Sequence, residues 1–378
     1  MYPRNYKPLK NKSFFLFGPR GTGKTTWIKA NYPKSLFIDL LNSENYRLLL
    51  GSPHRLDSMI PKEVTSIVID EVQKIPALLD EVHRLIETRH LLFILTGSSA
   101  RKLRRGGVNL LAGRAVQRFF HPLTCWEIGK EFSLSKALKF GLLPMAYTSD
   151  DPKDFISSYI STYLKEEVQA EGLVRNLSAY SHFLEVASFS QGQQLTMTRI
   201  ASDVGVDPKV IASYFEITED LLLSYRLPVF SKRAKRRLTT HPKFFFFDAG
   251  VFRALKPKGP LDTDSEVDGA ALETLFFQHY RALGEIKQWD QKPFYWRTAN
   301  KAEVDFVSYG EEGLFAFEIK RSGMTRDEDL NSLRLFKQDY PMAKCFLLNF
   351  SQDGTIRDDI QILNFENALW DLAKIMGV

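Results

Sequence analysis

Ser13-Phe14-Phe15-Leu16-Phe17-Gly18-Pro19-Arg20-Gly21-Thr22-Gly23-Lys24-Thr25-Thr26 is the stretch on which the reading of this chain turns. Ser13 to Phe17 is a short apolar run that stops at a glycine, the pattern of a buried strand in a parallel sheet. Gly18 to Thr25 fills every defined position of G-x-x-x-x-G-K-[ST] and is followed by a helix-like segment. That chemistry needs those residues. Backbone N–H groups can surround a phosphate only where side chains do not intrude, so Gly21 and Gly23 keep the loop open. A helix beginning near Lys24 adds about half a positive charge at its N-terminus. Lys24 would reach the terminal phosphates of a nucleoside triphosphate, and the Thr25 hydroxyl would coordinate Mg²⁺. The expected phosphate-facing set is Gly18, Pro19, Arg20, Gly21, Thr22, Gly23, Lys24, Thr25 and Thr26.

Further apolar runs follow at Leu36 to Leu40, Ile67 to Ile69 and Leu91 to Leu95, separated by helix-like stretches such as Leu78 to Thr88. This spacing predicts a doubly wound parallel α/β sheet. In Ser66-Ile67-Val68-Ile69-Asp70-Glu71 a buried strand ends in two carboxylates, on the sheet edge that faces bound phosphates. Asp70 is expected to hold Mg²⁺ from behind its ligands, and Glu71 to act as the general base on water. Thr96-Gly97-Ser98-Ser99 closes the next strand, with Thr96 or Ser98 placed to sense the terminal phosphate. Arg101, Arg104, Arg105 and Arg114 follow, any of which could stabilise transition-state charge in cis or in a neighbouring subunit.

The rest of the composition limits the alternatives. A chain of 378 residues is long enough for roughly two or three folding units. With 44% hydrophobic and 25% charged residues, disorder is not the default. Cys125 and Cys345 are too few and too far apart for a disulfide framework or a structural zinc site, which points to a reducing cytoplasm. No stretch reads as a signal peptide or membrane span. A net charge of +6 is compatible with nucleic-acid binding without establishing it.

The phosphate loop, Ile69-Asp70-Glu71-Val72-Gln73-Lys74-Ile75-Pro76, Thr96-Gly97-Ser98-Ser99-Ala100-Arg101 and Leu111-Ala112-Gly113-Arg114 together resemble the prokaryotic AAA-type ATPases that carry a C-terminal domain of unassigned function. The resemblance runs over essentially the whole chain. It implies ATP with Mg²⁺ as the nucleotide, and a Mg²⁺-dependent ATPase. It also implies an AAA-like module followed by a winged-helix segment and an α+β nuclease-like domain. The expected bounds are 1–150, 151–258 and 259–378, the first boundary lying where Pro144 to Lys153 gathers prolines and aspartates.

Asp154 to Glu171 has helical apolar spacing of the packing kind. Met197 to Tyr214 reads as helix, glycine turn, helix: Gly205 permits the turn, Asp207 caps the second helix and Pro208 suits its first turn. It resembles a winged helix-turn-helix. Tyr225 to Phe230 and Lys243 to Phe247 are expected to pair as strands around Lys232-Arg233-Ala234-Lys235-Arg236-Arg237. Lys232, Arg233, Lys235, Arg236 and Arg237 at a hairpin tip would suit a wing along phosphate, with DNA favoured as partner. A solvated loop, or a surface that docks acidic protein, is the competing reading.

Near the C-terminus, Asp268 to Leu283 has a helical pattern, and Phe294 to Thr298, Glu303 to Tyr309 and Leu314 to Lys320 read as strands, the last two joined by a turn at Gly310 to Gly313. Glu318 and Lys320 are two apart and share a strand face, and Asp305 could reach them from the paired strand. Two carboxylates and a lysine can bind Mg²⁺ and activate water. A surface hairpin with a cross-strand pair is the plain alternative. The pattern resembles the PD-(D/E)xK nuclease core, which implies Glu273 as a helical acid, Asp305 and Glu318 as metal ligands and Lys320 as charge-stabilising base. Val304 stands where that motif has proline. Two functions follow: an ATPase coupled to a nucleic-acid enzyme, or a nucleotide-operated switch whose C-terminal domain binds without cleaving. Assembly into a homo-oligomer is compatible with both.

Overall fold

The computed structural model describes residues 2–99, 111–164, 176–232, 236–257, 264–352 and 354–378, with 103, 168 and 174 singly. Five parallel strands build the first sheet: β1 (Ser13–Phe17), β2 (Leu36–Asp39), β3 (Ser66–Asp70), β4 (Leu92–Gly97) and β5 (Ala115–Phe119), in the order β2-β3-β4-β1-β5. The inner strands are apolar at almost every position because both faces are covered. Phe15, Phe17, Ile67, Ile69, Phe93 and Leu95 join one core, into which the helix Leu78–Arg89 sends Leu78, Leu79, Val82 and Leu85. On the other face Trp27 and Tyr6 pack around Phe120. Register places Leu16 beside Thr96 and Ile69 beside Leu95, so β1, β3 and β4 end on one edge.

This sheet belongs to a compact unit of residues 4–121, to which 217–223 return. The second unit comprises the first three residues, 122–216 and 224–378. The sequence reading puts its first boundary near 150, whereas contacts divide the chain at 121. The prolines on which that reading leaned do not mark a linker. Pro144 and Pro152 open the helices Pro144–Thr148 and Pro152–Ser158, where a missing N–H costs nothing. Leu123, Cys125, Ala137, Leu142 and Tyr147 already share a core with Leu272, Phe276 and Phe317.

Within the second unit, the helix Met197–Val204 ends at Gly205, whose φ of 76° is left-handed, and the helix starting at Pro208 is capped by Asp207, whose carboxylate accepts the Lys209 N–H at 2.8 Å. β6 (Ser224–Leu227) and β7 (Lys243–Phe246) then pair antiparallel. A six-stranded mixed sheet follows: β8 (Lys292–Arg297), β9 (Glu303–Gly310), β10 (Gly313–Ile319), β11 (Lys344–Asn349), β12 (Thr355–Arg357) and β13 (Ile360–Asn364), in the order β12-β13-β11-β10-β9-β8. Phe306, Phe315 and Phe317 face a core shared with the 24-residue helix Asp264–Lys287. Val307, Leu314 and Ala316 alternate to the opposite face, against Leu333 and Phe336 of the helix Asn331–Asp339. Among the described residues, no helix is long and apolar enough to cross a membrane.

Candidate functional site

The loop after β1 is shaped by backbone demands that only its own residues meet. Gly21 and Gly23 have φ of 81° and 92°, in the left-handed region, and Gly23 leads into the helix Lys24–Asn31. Gly18 is required for space: a Cβ there would lie 2.3 Å from the Phe120 carbonyl oxygen. The Thr22 hydroxyl donates to the Pro19 carbonyl at 2.9 Å, and the buried Lys24 ammonium donates to the carbonyls of Gly18 at 2.6 Å and Pro19 at 3.1 Å. Arg20 and Thr26 are both exposed, so their side chains face solvent. Arg4, which the sequence reading missed, donates to the carbonyls of Thr22 at 2.7 Å and His121 at 2.6 Å, and its guanidinium lies 4.1 Å from the centre of the Phe120 ring. It ties the loop to the end of β5, and nothing in its polar N-terminal surroundings signals that role.

Three chain segments converge below this loop. The Thr25 hydroxyl donates to Asp70 Oδ2 at 3.0 Å, and the Thr96 hydroxyl donates to Asp70 Oδ1 while accepting the Glu71 N–H at 3.1 Å. β4 lies between β1 and β3, so Thr96 stands between the phosphate loop and the acidic pair. Glu71 follows the strand with φ 60° and ψ 45°, a left-handed conformation uncommon for a side-chain-bearing residue. Gln73 was missed. Its amide donates to Glu71 Oε2 at 2.5 Å and to the Ser98 hydroxyl at 3.1 Å, while its own carbonyl oxygen is buried without a hydrogen-bond partner among the described residues. The two sensor candidates therefore have separate partners, Thr96 with Asp70 and Ser98 with Gln73. These residues fit a Mg²⁺-bound triphosphate: a hydroxyl and a carboxylate share one position, beside an ammonium held by loop carbonyls. Arg114 pairs with Glu87 of the helix Leu78–Arg89. Arg101, Arg104 and Arg105 lie outside the described residues.

The C-terminal acids come together, with a residue the sequence reading did not assign to them. Lys243 of β7, buried to 1% exposure, lies 2.5 Å from Glu303 Oε1, 3.1 Å from Asp305 Oδ1 and 3.5 Å from Glu273 Oε2. Asp305 Oδ2 accepts the Ile319 N–H at 2.9 Å. Lys320 pairs with Glu318 Oε1 at 2.6 Å, and Arg297 with Glu303 Oε2 at 2.7 Å. Among the described residues, Glu318 Oε2 is buried without a hydrogen-bond partner. Burial, reinforced for Glu318 by the neighbouring Asp305 charge, pushes the Glu273 and Glu318 carboxyls well above the usual carboxylate range. For Lys243, burial works against the charge, yet Glu273, Asp305 and Glu303 together hold it firmly protonated. Asp305 and Glu318 were expected to ligate metal. A cation already sits on Asp305, and among the described residues no group of three or more His, Cys, Asp or Glu side chains is placed to hold a metal ion.

The basic segment is held at both flanks. Phe230 N–H donates to the Tyr295 carbonyl at 2.7 Å, and the Arg237 carbonyl accepts the Ala299 N–H at 3.0 Å, so the chain follows the edge strand β8. Lys232 lies 4.4 Å from the centre of the Tyr309 ring, and Arg236 pairs with Asp339 at 2.8 Å. Arg233 and Lys235 lie outside the described residues.

Comparison with known proteins matches residues 10–129 to an AAA domain, 131–262 to a domain of unknown function (DUF8612) and 268–367 to a second one (DUF4143). An uncharacterized protein of Mycobacterium tuberculosis is 25% identical over 317 residues, 81% of this chain and 70% of that protein. An uncharacterized protein of Haemophilus influenzae is 23% identical over 320 residues, 80% of this chain and 76% of its own length. Among solved structures, the chain is similar to the Aeropyrum pernix ORC1 protein in complex with DNA, with a TM-score of 0.26 and 12% identity over 65% of this chain and 87% of that one. It is also similar to domain III of the Thermotoga maritima replication initiation protein DnaA, with a TM-score of 0.22 and 15% identity over 52% and 84%. The chain therefore carries an AAA domain over residues 10–129 and a DUF4143 domain over residues 268–367.

Proposed function

We propose that the first unit is a Mg²⁺-dependent ATPase and that its nucleotide state controls how the second unit engages nucleic acid. The observation that carries this reading is the meeting of Thr25, Asp70 and Thr96 below a glycine loop that holds Lys24. Gly18 to Thr26 would cradle the phosphates through backbone N–H groups, and Lys24 would exchange its carbonyl partners for phosphate oxygens, which are stronger acceptors. Bound Mg²⁺ would neutralise charge on the outer phosphates, with Thr25 as ligand and Asp70 orienting it. Glu71 would take the proton from the attacking water, its carboxylate positioned by Gln73. Thr96 would report the state of the site to Asp70 and the Glu71 backbone. An arginine finger at Arg114 would require it to leave Glu87.

For the second unit we favour binding without cleavage. Metal-dependent hydrolysis by Glu273, Asp305, Glu318 and Lys320 needs a cation at Asp305, where Lys243 already lies. Lys232, Arg236 and Arg237, with Arg233 and Lys235 from the same run, supply a basic segment for a polynucleotide backbone, DNA first. Arg236 would contribute least, being paired with Asp339. The test is ATP turnover by the full chain, with and without duplex DNA, single-stranded DNA and RNA, in wild type, Glu71→Gln and Lys24→Ala, with polynucleotide integrity followed in the same samples. The expected outcome is a loss of roughly 100-fold or more in turnover for Glu71→Gln with ATP binding kept, and loss of binding in Lys24→Ala. Unchanged turnover in Glu71→Gln would overturn the assignment. Absence of stimulation by every polynucleotide would move the coupling to a protein partner.

A further inference from the structure

We propose that Lys243 is a resident cation of the C-terminal carboxylate cluster, so that the second unit takes up no divalent metal at Glu273, Glu303, Asp305 and Glu318. Three features carry this. The ammonium has three protons, and three carboxylate oxygens lie 2.5, 3.1 and 3.5 Å from it, one from each of Glu303, Asp305 and Glu273. It is also not an exchangeable ion. Lys243 is fixed in β7, where its backbone pairs with Leu227 and bridges to Gln194, and its side chain is sealed at 1% exposure. Finally, most of the remaining acceptors are spoken for. Asp305 Oδ2 accepts the Ile319 N–H, Glu303 Oε2 holds Arg297 and Glu318 Oε1 holds Lys320.

The charges show how nearly complete this arrangement is. Three cationic side chains, Lys243, Arg297 and Lys320, already face the four carboxyl groups of Glu273, Glu303, Asp305 and Glu318. A divalent ion entering beside Lys243 would bring two more positive charges and face the ammonium across a few ångströms of protein. Glu318 Oε2, buried and without a hydrogen-bond partner among the described residues, marks where the cluster would first accept a metal once Lys243 is gone.

The experiment uses the full chain without nucleotide, Mn²⁺ as probe, and two readouts: Mn²⁺ bound per chain by electron paramagnetic resonance, and the melting temperature with and without Mn²⁺. Wild type and Asp305→Asn are expected to bind Mn²⁺ alike. Lys243→Ala is expected to gain one site per chain, together with a melting temperature that Mn²⁺ raises, and both gains should vanish in Lys243→Ala with Asp305→Asn. A wild-type site that Asp305→Asn removes would overturn the proposal, as would a folded Lys243→Ala protein that gains none. Lys243→Met keeps the length of the side chain and is the second route if Lys243→Ala fails to fold. If neither folds, the wild-type comparison with Asp305→Asn still decides. Its readout is independent of ATP turnover, so it stands or falls apart from the nucleotide reading.

Discussion

Gln73 shows what a single amide can do beside a proposed general base. One N–H₂ group bonds both the Glu71 carboxylate and the Ser98 hydroxyl, which fixes a base that otherwise sits on a strained left-handed backbone. Gln73→Ala is expected to lower kcat for ATP by about tenfold and leave the KM for ATP unchanged, the signature of a positioning residue. Gly97 gives an independent check. A Cβ on Gly97 would come 2.5 Å from Gln73 Oε1, so Gly97→Ala should displace the amide and reproduce the Gln73→Ala profile. Unaltered kcat in both variants would remove Gln73 from the machinery. At this scale the legible residues were those whose chemistry is local: Gly18 to Thr25 declare themselves within eight positions, and Asp70 and Glu71 close their own strand. Gln73 lay inside the segment that carried the family resemblance yet needed Ser98 and Glu71 in space to acquire a role. Lys243, 62 positions from Asp305, read only as the first residue of a strand.

Elements were legible where one period dominates. Ser13 to Phe17 appears as a strand with the expected bounds, and the expected strands at residues 36, 67 and 91 appear with ends shifted by a residue or two. β5 was not expected: Ala115-Val116-Gln117-Arg118-Phe119 mixes polar and apolar residues because it is the edge strand beside β1. β11 and β13 were also missed, although Cys345-Phe346-Leu347-Leu348 and Ile360-Gln361-Ile362 carry the apolar signal. Helix junctions separate two costs of adding a methyl group. At Gly205 a Cβ would meet none of the described residues within 4 Å, so Gly205→Ala should cost about 1 kcal/mol, from the φ of 76° alone. At Gly250 a Cβ would lie 2.2 Å from the Phe140 backbone, where the helix Ala249–Leu255 crosses Leu134–Phe140. Gly250→Ala should cost about 3 kcal/mol as the two helices are pushed apart. Urea denaturation compares the pair, and equal losses would refute the distinction.

Across the whole molecule, the first unit was easier to read than the second because a parallel α/β sheet announces itself through consecutive apolar runs. The second unit gathers its parts from distant segments, and its buried titratable groups set how stability depends on pH. His279 is the sharpest case. Its Nδ1 donates to the Leu275 carbonyl at 2.8 Å and its Nε2 accepts the Cys125 N–H at 3.0 Å, so a second ring proton would face an N–H donor. Burial lowers its pKa from 6.5 to about 4, the Leu275 carbonyl opposing the shift. A depressed folded value means that the unfolded chain binds the proton first. The stabilisation is therefore complete above about pH 6.5 and is lost as pH falls toward 4, with about 2 kcal/mol gone between pH 7 and 5. Glu273 and Glu318 act in the other direction, because their raised values favour the folded state as they take up protons, so the wild-type profile alone would be ambiguous. Comparing wild type with His279→Gln isolates the histidine: urea midpoints at pH 7 and pH 5 should converge as pH falls, since Gln can still accept the Cys125 N–H but takes up no proton. Parallel profiles for the two proteins would show that His279 is protonated without penalty in the folded chain.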